Sequence, residues 1–356
     1  MSYERANIQR MQGYTAGEQP RGRDVIKLNT NENPYPATEA VARALADIRV
    51  EQLRRYPPPL ANEFRAEAAA LHGVGEEQII AVNGGDELLR LAVTTFVGPG
   101  EPLGVAEPSY SLYPVLADIN DSPVIRVPLD DAWQLPDDFA ARMNSAGVKL
   151  CFVVNPHAPS GTLLPVSQLA GLAQLLDGVL LIDEAYVDFV DPVHEYDAVA
   201  LTKRYDNVLI LRTLSKGYSL AGLRFAYGIG SPALLEPMLY KTRDSYNTDF
   251  IAQKLATAAL QDHAEAARGW AAVREERARV ARELVSLGFA CESSQSNFLL
   301  VQPPVSLPAR ELYERLRSVG ILVRHFDQDR LRDRLRITIG TAEENAQLLE
   351  RIREQL

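Results

Sequence analysis

Short apolar runs recur along the chain at 78–82, 103–106, 124–127, 149–154, 179–182, 208–211 and 225–229, and helical spacing fills the stretches between them. Such alternation predicts βα units on a mostly parallel sheet. Leu150-Cys151-Phe152-Val153-Val154 and Val179-Leu180-Leu181-Ile182 are apolar throughout, as expected of strands covered on both faces. Amphipathic helices are predicted over 88–96, 166–176 and 250–260, with Asp86 or Glu87 favouring the first turn of the earliest. After about residue 262 the pattern changes to a long charged helix over 263–287, a strand at 297–301, a helix over 308–318, strands at 321–324 and 335–339, and a last helix from Ala342. This predicts a smaller α+β domain. Turn chemistry at Gly13, Gly17, Pro20, Gly22 and Asn33-Pro34-Tyr35-Pro36 predicts a leading arm. The expected division is an N-terminal arm over 1–45 packing with the small domain, a large domain over 46–262 and a small C-terminal domain over 263–356.

A length of 356 residues with 46% hydrophobic content suits two domains with a sizeable core. The formal net charge of −10, without a long basic run, argues against nucleic acid as a partner, so an anionic substrate would depend on locally placed arginines. Residues 1–14 are polar, and no apolar run is long enough to span a bilayer, so a cytoplasmic protein without membrane contact is expected. Cys151 and Cys291 stand apart from each other and from the scattered histidines, so neither a disulfide nor a metal site is predicted.

Ligands of open α/β sheets bind beyond the carboxyl ends of the strands, which directs attention to the residues after each apolar run. Asn83-Gly84-Gly85-Asp86-Glu87 forms a turn into a helix whose free amides suit a phosphate, or is a plain structural turn. Asn155-Pro156 follows another run, and Asn155 is either a donor to a ring oxygen or an ordinary loop asparagine. Asp183-Glu184-Ala185-Tyr186 puts a carboxylate at the end of a buried strand, where it is costly unless paired. Opposite a pyridinium nitrogen the ionised carboxylate would be favoured by about 1 to 3 pKa units, while a metal ligand or helix cap is the competing reading. After 208–211 comes Arg212-Thr213-Leu214-Ser215-Lys216, with Arg224 shortly beyond: one amine among hydroxyls and guanidiniums, which is either an ordinary surface lysine or the amine of a Schiff-base enzyme with a phosphorylated cofactor. No dinucleotide fingerprint, nucleotide-triphosphate loop or serine-hydrolase elbow is present.

These pieces, together with residues 14–20, Lys27-Leu28-Asn29-Thr30-Asn31-Glu32-Asn33-Pro34, Tyr56-Pro57, Pro108-Ser109-Tyr110, Asn297-Phe298, Val323-Arg324 and residues 335–341, occur in the order of a known family. The chain resembles the fold-type I pyridoxal-phosphate aminotransferases, and among them the histidinol-phosphate aminotransferases. The resemblance implies a large domain with a mostly parallel sheet flanked by helices plus a smaller α+β domain. It implies that Lys216 forms the Schiff base with pyridoxal 5'-phosphate and moves the substrate's proton, that Asp183 pairs with the pyridine nitrogen, and that Asn155 and Tyr186 hydrogen-bond the phenolic oxygen. Tyr110 would stack on the ring, and the phosphate would take amides at Gly85 and Asp86, hydroxyls at Thr213 and Ser215, the guanidinium of Arg224, and Tyr56 from a neighbouring subunit. A homodimer with shared active sites follows. Arg324 and Arg336, with Tyr14 and Asn155, would receive the substrates: histidinol phosphate in one half-reaction and glutamate or 2-oxoglutarate in the other, by a ping-pong route within histidine biosynthesis.

The usual asparagine-rich loop after Asn155-Pro156 reads His157-Ala158-Pro159-Ser160-Gly161 here, the common Pro-Phe-Asn reads Ser245-Tyr246-Asn247, and the lysine is followed by Gly217-Tyr218-Ser219. The first two departures would retune substrate choice. The alternatives are an aromatic amino acid aminotransferase of the same subgroup, a phosphothreonine decarboxylase and, from a different class, a non-catalytic ligand-sensing version of the fold.

Overall fold

The computed structural model describes residues 2–15, 17–19 and 25–356. Ala16, Pro20 and Gly22, which entered the reading of the leading segment, lie outside the described residues. In chain order the strands are β1 (Ile26–Lys27), β2 (Ile79–Val82), β3 (Leu103–Glu107), β4 (Val124–Pro128), β5 (Leu150–Val154), β6 (Val179–Asp183), β7 (Val208–Thr213), β8 (Ala226–Gly230), β9 (Ala290–Cys291), β10 (Phe298–Gln302), β11 (Ile321–Leu322), β12 (Arg324–His325) and β13 (Leu335–Thr338).

Seven of them form one sheet in the order β2-β8-β7-β6-β5-β3-β4. β8 alone in this sheet is antiparallel to its neighbours, so the other six present their carboxyl ends on the same side. The apolar runs predict this sheet strand for strand, and β5, buried at every position, is the central strand its composition calls for. Successive side chains of a strand point to opposite faces. Ile80 and Val82 of β2 accordingly join Leu88, Leu89, Tyr113 and Leu116 on one side, while Ile79 and Ala81 face the larger cluster on the other. That larger cluster is continuous from Leu28 through the sheet to Val280, Leu300 and Ile352.

The helices are placed by the same patterns. Gly85–Phe96 carries Asp86 and Glu87 in its first turn, where carboxylates favour the positive end of the helix dipole. Phe250–Gln261 is capped by Asp249, whose carboxylate accepts from the Ala252 amide at 2.8 Å, and Ala342–Arg353 starts with a Thr341/Glu344 capping box. The charged stretch after residue 262 folds as one helix, His263–Ser286, with Trp270, Val273, Val280 and Leu284 on its buried stripe.

Beyond that helix a four-stranded antiparallel sheet runs β12-β13-β10-β9. The leading segment is tied to this end of the molecule, since β1 pairs in parallel with β11. The stretch predicted as one strand at 321–324 is two short strands in different sheets, β11 with β1 and β12 with β13, with Val323 buried between them.

Candidate active site

The carboxyl ends of β5, β6 and β7, the N-terminus of Gly85–Phe96 and the loop between β12 and β13 surround a cleft of about 540 Å³. Lys216, Asp183, Tyr186, Gly85, Asp86, Tyr110, Thr213, Ser215, Arg224, Tyr14, Arg324 and Arg336, scattered over more than three hundred positions of sequence, all line it.

Lys216 follows β7, and its Nζ donates to the Thr30 carbonyl at 2.9 Å. Burial, and then the positive charge of Arg336, holds its amine at about 8, below the ordinary lysine value, so a fraction of it is the neutral nucleophile near neutral pH. The backbone behind it is fixed from two directions. Asn33 Nδ2 donates to both the Lys216 and Gly217 carbonyls at 3.1 Å, and the indole N–H of Trp270 donates to Gly217 at 2.7 Å.

Asp183 closes β6 with its side chain buried, accepting from the Tyr113 hydroxyl at 2.9 Å and the Ala185 amide at 3.1 Å. Those bonds lower its pKa, yet burial prevails and pushes it up to about 6. Asp86 and Glu184 add to the rise, and among the described residues Asp183 has no ion-pair partner, so a cationic group could pair with it here. Tyr113 is held by stacking on Phe152 at 4.6 Å.

At the other end of the cleft, Gly84 at φ +77° turns the chain into its helix. A Cβ there would lie 2.8 Å from the Arg224 guanidinium, so glycine lets the cation approach the helix N-terminus. Thr213 and Ser215 bring hydroxyls to the same corner, 3.0 Å apart. Backbone amides, two hydroxyls and a guanidinium gathered in this way could hold a phosphate. Tyr110 forms the side wall, meeting Tyr14 edge to face at 5.9 Å.

Tyr186 receives a hydrogen bond from Asn31 Nδ2 at 3.0 Å, which occupies an oxygen lone pair and leaves the phenolic proton free to donate into the cleft. Asn31 is itself held by Thr338 and Asn297. Arg324 and Arg336 are directly opposite on β12 and β13. Like charges in that register repel, and neither has a carboxylate partner among the described residues. One nitrogen of Arg336 donates to the Asn29 carbonyl at 3.0 Å, while its buried Nε has no partner. Phe326 lies between the two guanidiniums, 5.3 Å and 5.4 Å from its ring centre. Two cations on one wall without a carboxylate partner among the described residues could receive an anion.

Two expected members are not brought in. Asn155 is fully buried, and its amide is spent on Leu164 and on Tyr196: Nδ2 donates to the Leu164 carbonyl at 3.1 Å and to the Tyr196 hydroxyl at 2.9 Å, and Oδ1 accepts from the Leu164 amide. The assignment of Asn155 to a ring oxygen or to substrate is therefore corrected. The same loop presents Ala158 and Pro159 to the cleft instead. Tyr56 is 80% exposed and stacks on Tyr246, away from the cleft of its own chain. Motif reading gave no role to Tyr113, Thr30 or Trp270. Tyr113 is an apolar-looking helix residue whose hydroxyl acts through the fold, and sequence carries no sign of that.

Residues 23–352 match the family model of class I and II aminotransferases. Histidinol-phosphate aminotransferase 1 of Trichormus variabilis is 44% identical over the whole chain and 99% of its own length, and the Synechocystis histidinol-phosphate aminotransferase is 41% identical over 97% of the chain and 96% of its length. The crystal structure of histidinol-phosphate aminotransferase from Sinorhizobium meliloti in complex with pyridoxal-5'-phosphate superposes with a TM-score of 0.90 at 25% identity, covering 100% of this chain and 99% of that one. The chain belongs to the class I and II aminotransferases, in the branch whose curated members are named histidinol-phosphate aminotransferases.

Proposed function

We propose that this enzyme transfers an amino group from L-histidinol phosphate to 2-oxoglutarate, with Lys216 as the catalytic amine and pyridoxal 5'-phosphate as cofactor. The residues fit that group: a buried carboxylate short of a cation at one end of the cleft, a phosphate cradle at the other, and a lysine of lowered basicity beside both. Bound there, the cofactor supplies an aldehyde for the amine and an electron sink for the carbanion that follows. Asp183 would hold the ring nitrogen protonated. Gly85, Asp86, Thr213, Ser215 and Arg224 would hold the phosphate, Tyr110 would cover the ring face, and Tyr186 would donate to the phenolic oxygen.

Lys216 Nζ, once freed as a neutral amine, would take the proton from the substrate's Cα, its reach set by the backbone clamp of Asn33 and Trp270. Arg324 and Arg336 would bind the donor's phosphate in one half-reaction and the acceptor's carboxylate in the other, since guanidinium forks suit both anions. The unpaired guanidinium pair on the wall shared with Lys216 is the observation that carries this reading. The aromatic ring of Phe326 between the arginines also favours an aromatic amino acid as a second substrate.

In this reading residues 1–45 are an arm, 46–262 the cofactor domain and 263–356 the smaller domain that closes over substrate. The protein works in the cytoplasm as a homodimer whose Tyr56 completes the partner's phosphate site. Initial rates on histidinol phosphate, phenylalanine and phosphothreonine, each with 2-oxoglutarate, test the assignment. Histidinol phosphate is expected to lead, and a large advantage for phenylalanine would overturn it.

A further inference from the structure

The hairpin loop 326–334 between β12 and β13 belongs to the four-stranded sheet, yet its tip is fastened to the far side of the cleft. Arg330 donates from Nη1 to the Leu129 carbonyl at 2.6 Å and from Nη2 to the Asp130 carbonyl at 2.7 Å. Leu129 and Asp130 directly follow β4, the edge strand of the seven-stranded sheet. The same guanidinium lies 4.4 Å from the centre of the Trp133 ring, with Arg334 adding a second cation at 5.6 Å. Trp133 is 2% exposed and tilts against His157 at 6.1 Å, and His157 Nε2 donates to the Pro108 carbonyl at 2.9 Å, two residues before Tyr110.

Both partners of the stack are strained. Arg330 has φ +67° and Trp133 φ +62°, a left-handed conformation that bulky residues rarely adopt. The receiving turn is rigid: Asp130 Oδ1 accepts from the Ala132 and Gln134 amides at 2.9 and 2.8 Å. Strain at two facing positions that join separate sheets persists only where the contact between them holds it. What the contact holds is a cleft wall, because Phe326, Gln328 and Leu331 of the same loop line the cleft beside Arg324 and Arg336.

We propose that Arg330 is a positioning residue for substrate: clasped by Trp133 and the 129–130 carbonyls, it sets the loop that places Phe326 and the arginine pair against the anionic end of the amino donor. The inference rests on the site reading given above. Lysine offers neither the two-carbonyl fork nor the flat stack, so it replaces arginine poorly here. Glycine accepts φ +67° without strain while removing the clasp, which separates backbone comfort from the contact itself.

The test compares wild-type, Arg330→Gly, Arg330→Lys and Trp133→Leu holoenzymes by steady-state kinetics with histidinol phosphate and by hydrogen exchange of residues 326–334 with and without inorganic phosphate. In Arg330→Gly the expected result is a KM raised about fivefold to thirtyfold at a kcat within twofold of wild type. Exchange protection should be lost in 326–334 and kept in β5, β6 and β7. Arg330→Lys should fall between, and Trp133→Leu should resemble Arg330→Gly. Unchanged KM with unchanged protection in Arg330→Gly would overturn the proposal, as would equal losses in kcat and in protection throughout the molecule. Should the wild-type enzyme fail to turn over histidinol phosphate, the substrate assignment falls, while loss of protection confined to 326–334 would still support the clasp and its persistence would still overturn it.

Discussion

Asp183 has two donors and, among the described residues, no ion-pair partner, and this imbalance makes testable what the carboxylate is for. Its pKa is raised to about 6 from an ordinary value near 4, so the folded cofactor-free protein binds this proton more tightly than the unfolded chain does. The cost of the buried charge is fully present above about pH 6 and is relieved as pH falls through the window between about 6 and 4. Asp183→Asn should therefore stabilise the cofactor-free protein at pH 7 by roughly 2 kcal/mol, with the advantage over wild type shrinking towards pH 4. Urea unfolding of both proteins across that range checks the sign, and an advantage that grows on acidification would refute it. The lysine is depressed instead, to about 8, so half of it is neutral at that pH and the neutral form levels off about one unit higher. The rate of reconstitution with pyridoxal phosphate should rise with pH, reach half its limit near pH 8 and plateau above about 9. Stopped-flow absorbance reads this directly, and a rate independent of pH between 6 and 8 would show that Lys216 is not the attacking amine. Arg336→Lys should raise KM for the phosphorylated donor about tenfold to a hundredfold, since a charged hydrogen bond is worth about 1.5 to 3 kcal/mol. Whole motifs at strand ends bring Lys216, Asp183 and the arginines to the cleft, whereas the expectation for Asn155 fails because a proline-flanked asparagine gives no indication of which way its amide points. The structure turns that amide inward to Leu164 and Tyr196, and Ala158 takes the cleft position.

At the scale of elements, the loop that carries the lysine is shaped by a close approach. A Cβ on Gly217 would sit 2.0 Å from Asp188 Oδ2 and 2.6 Å from Asp188 Cβ, so even a methyl group must displace either the 216–217 backbone or the turn after β6. Gly217→Ala should cost about 1 to 3 kcal/mol in stability, as overpacking does, and lower kcat because the lysine moves with its backbone. Adding Asp188→Gly, which removes the carboxylate and the Cβ together, should restore most of the thermal midpoint, and a double variant no more stable than Gly217→Ala would show that the clash is not the cause. The legibility of the elements follows the same physics. Strands β2, β3 and β5 to β8 appear in the sequence because a doubly covered strand must be apolar at nearly every position, while the edge strand β4 shows only through its valines and isoleucine. Helix Leu112–Asn120 did not stand out, with Pro114 in its first turn and a short apolar face, although the proline costs little there because the first amides of a helix lack partners anyway. The 321–324 stretch was read as one strand because its composition is uniform. Its division between β11 and β12 depends on β1 arriving from near the other end of the chain, and no local pattern records that.

For the whole molecule, one surface remains to be assigned. Tyr56 and Tyr246 are 80% and 47% exposed, and their rings stack at 4.5 Å with an interplanar angle of 18°. An exposed stacked pair of aromatic rings suits burial against another protein. A two-fold dimer would put each Tyr56 to use in the other subunit, so each site would draw its lysine and its Tyr56 from different chains. Mixing two impaired variants, Lys216→Ala and Tyr56→Ala, tests this. In the mixed dimer one site lacks both groups while the other has the lysine of one chain and the tyrosine of the other, which restores a complete site. An equimolar, fully exchanged mixture in which half the dimers are mixed should then recover roughly a quarter of the wild-type activity, with KM and kcat per restored site close to wild type. If each chain used its own Tyr56, the mixture would show only the mean of the two variants at every mixing ratio. The dependence on mixing ratio, measured after dissociation and reassembly, distinguishes these cases even when Tyr56→Ala alone keeps some activity.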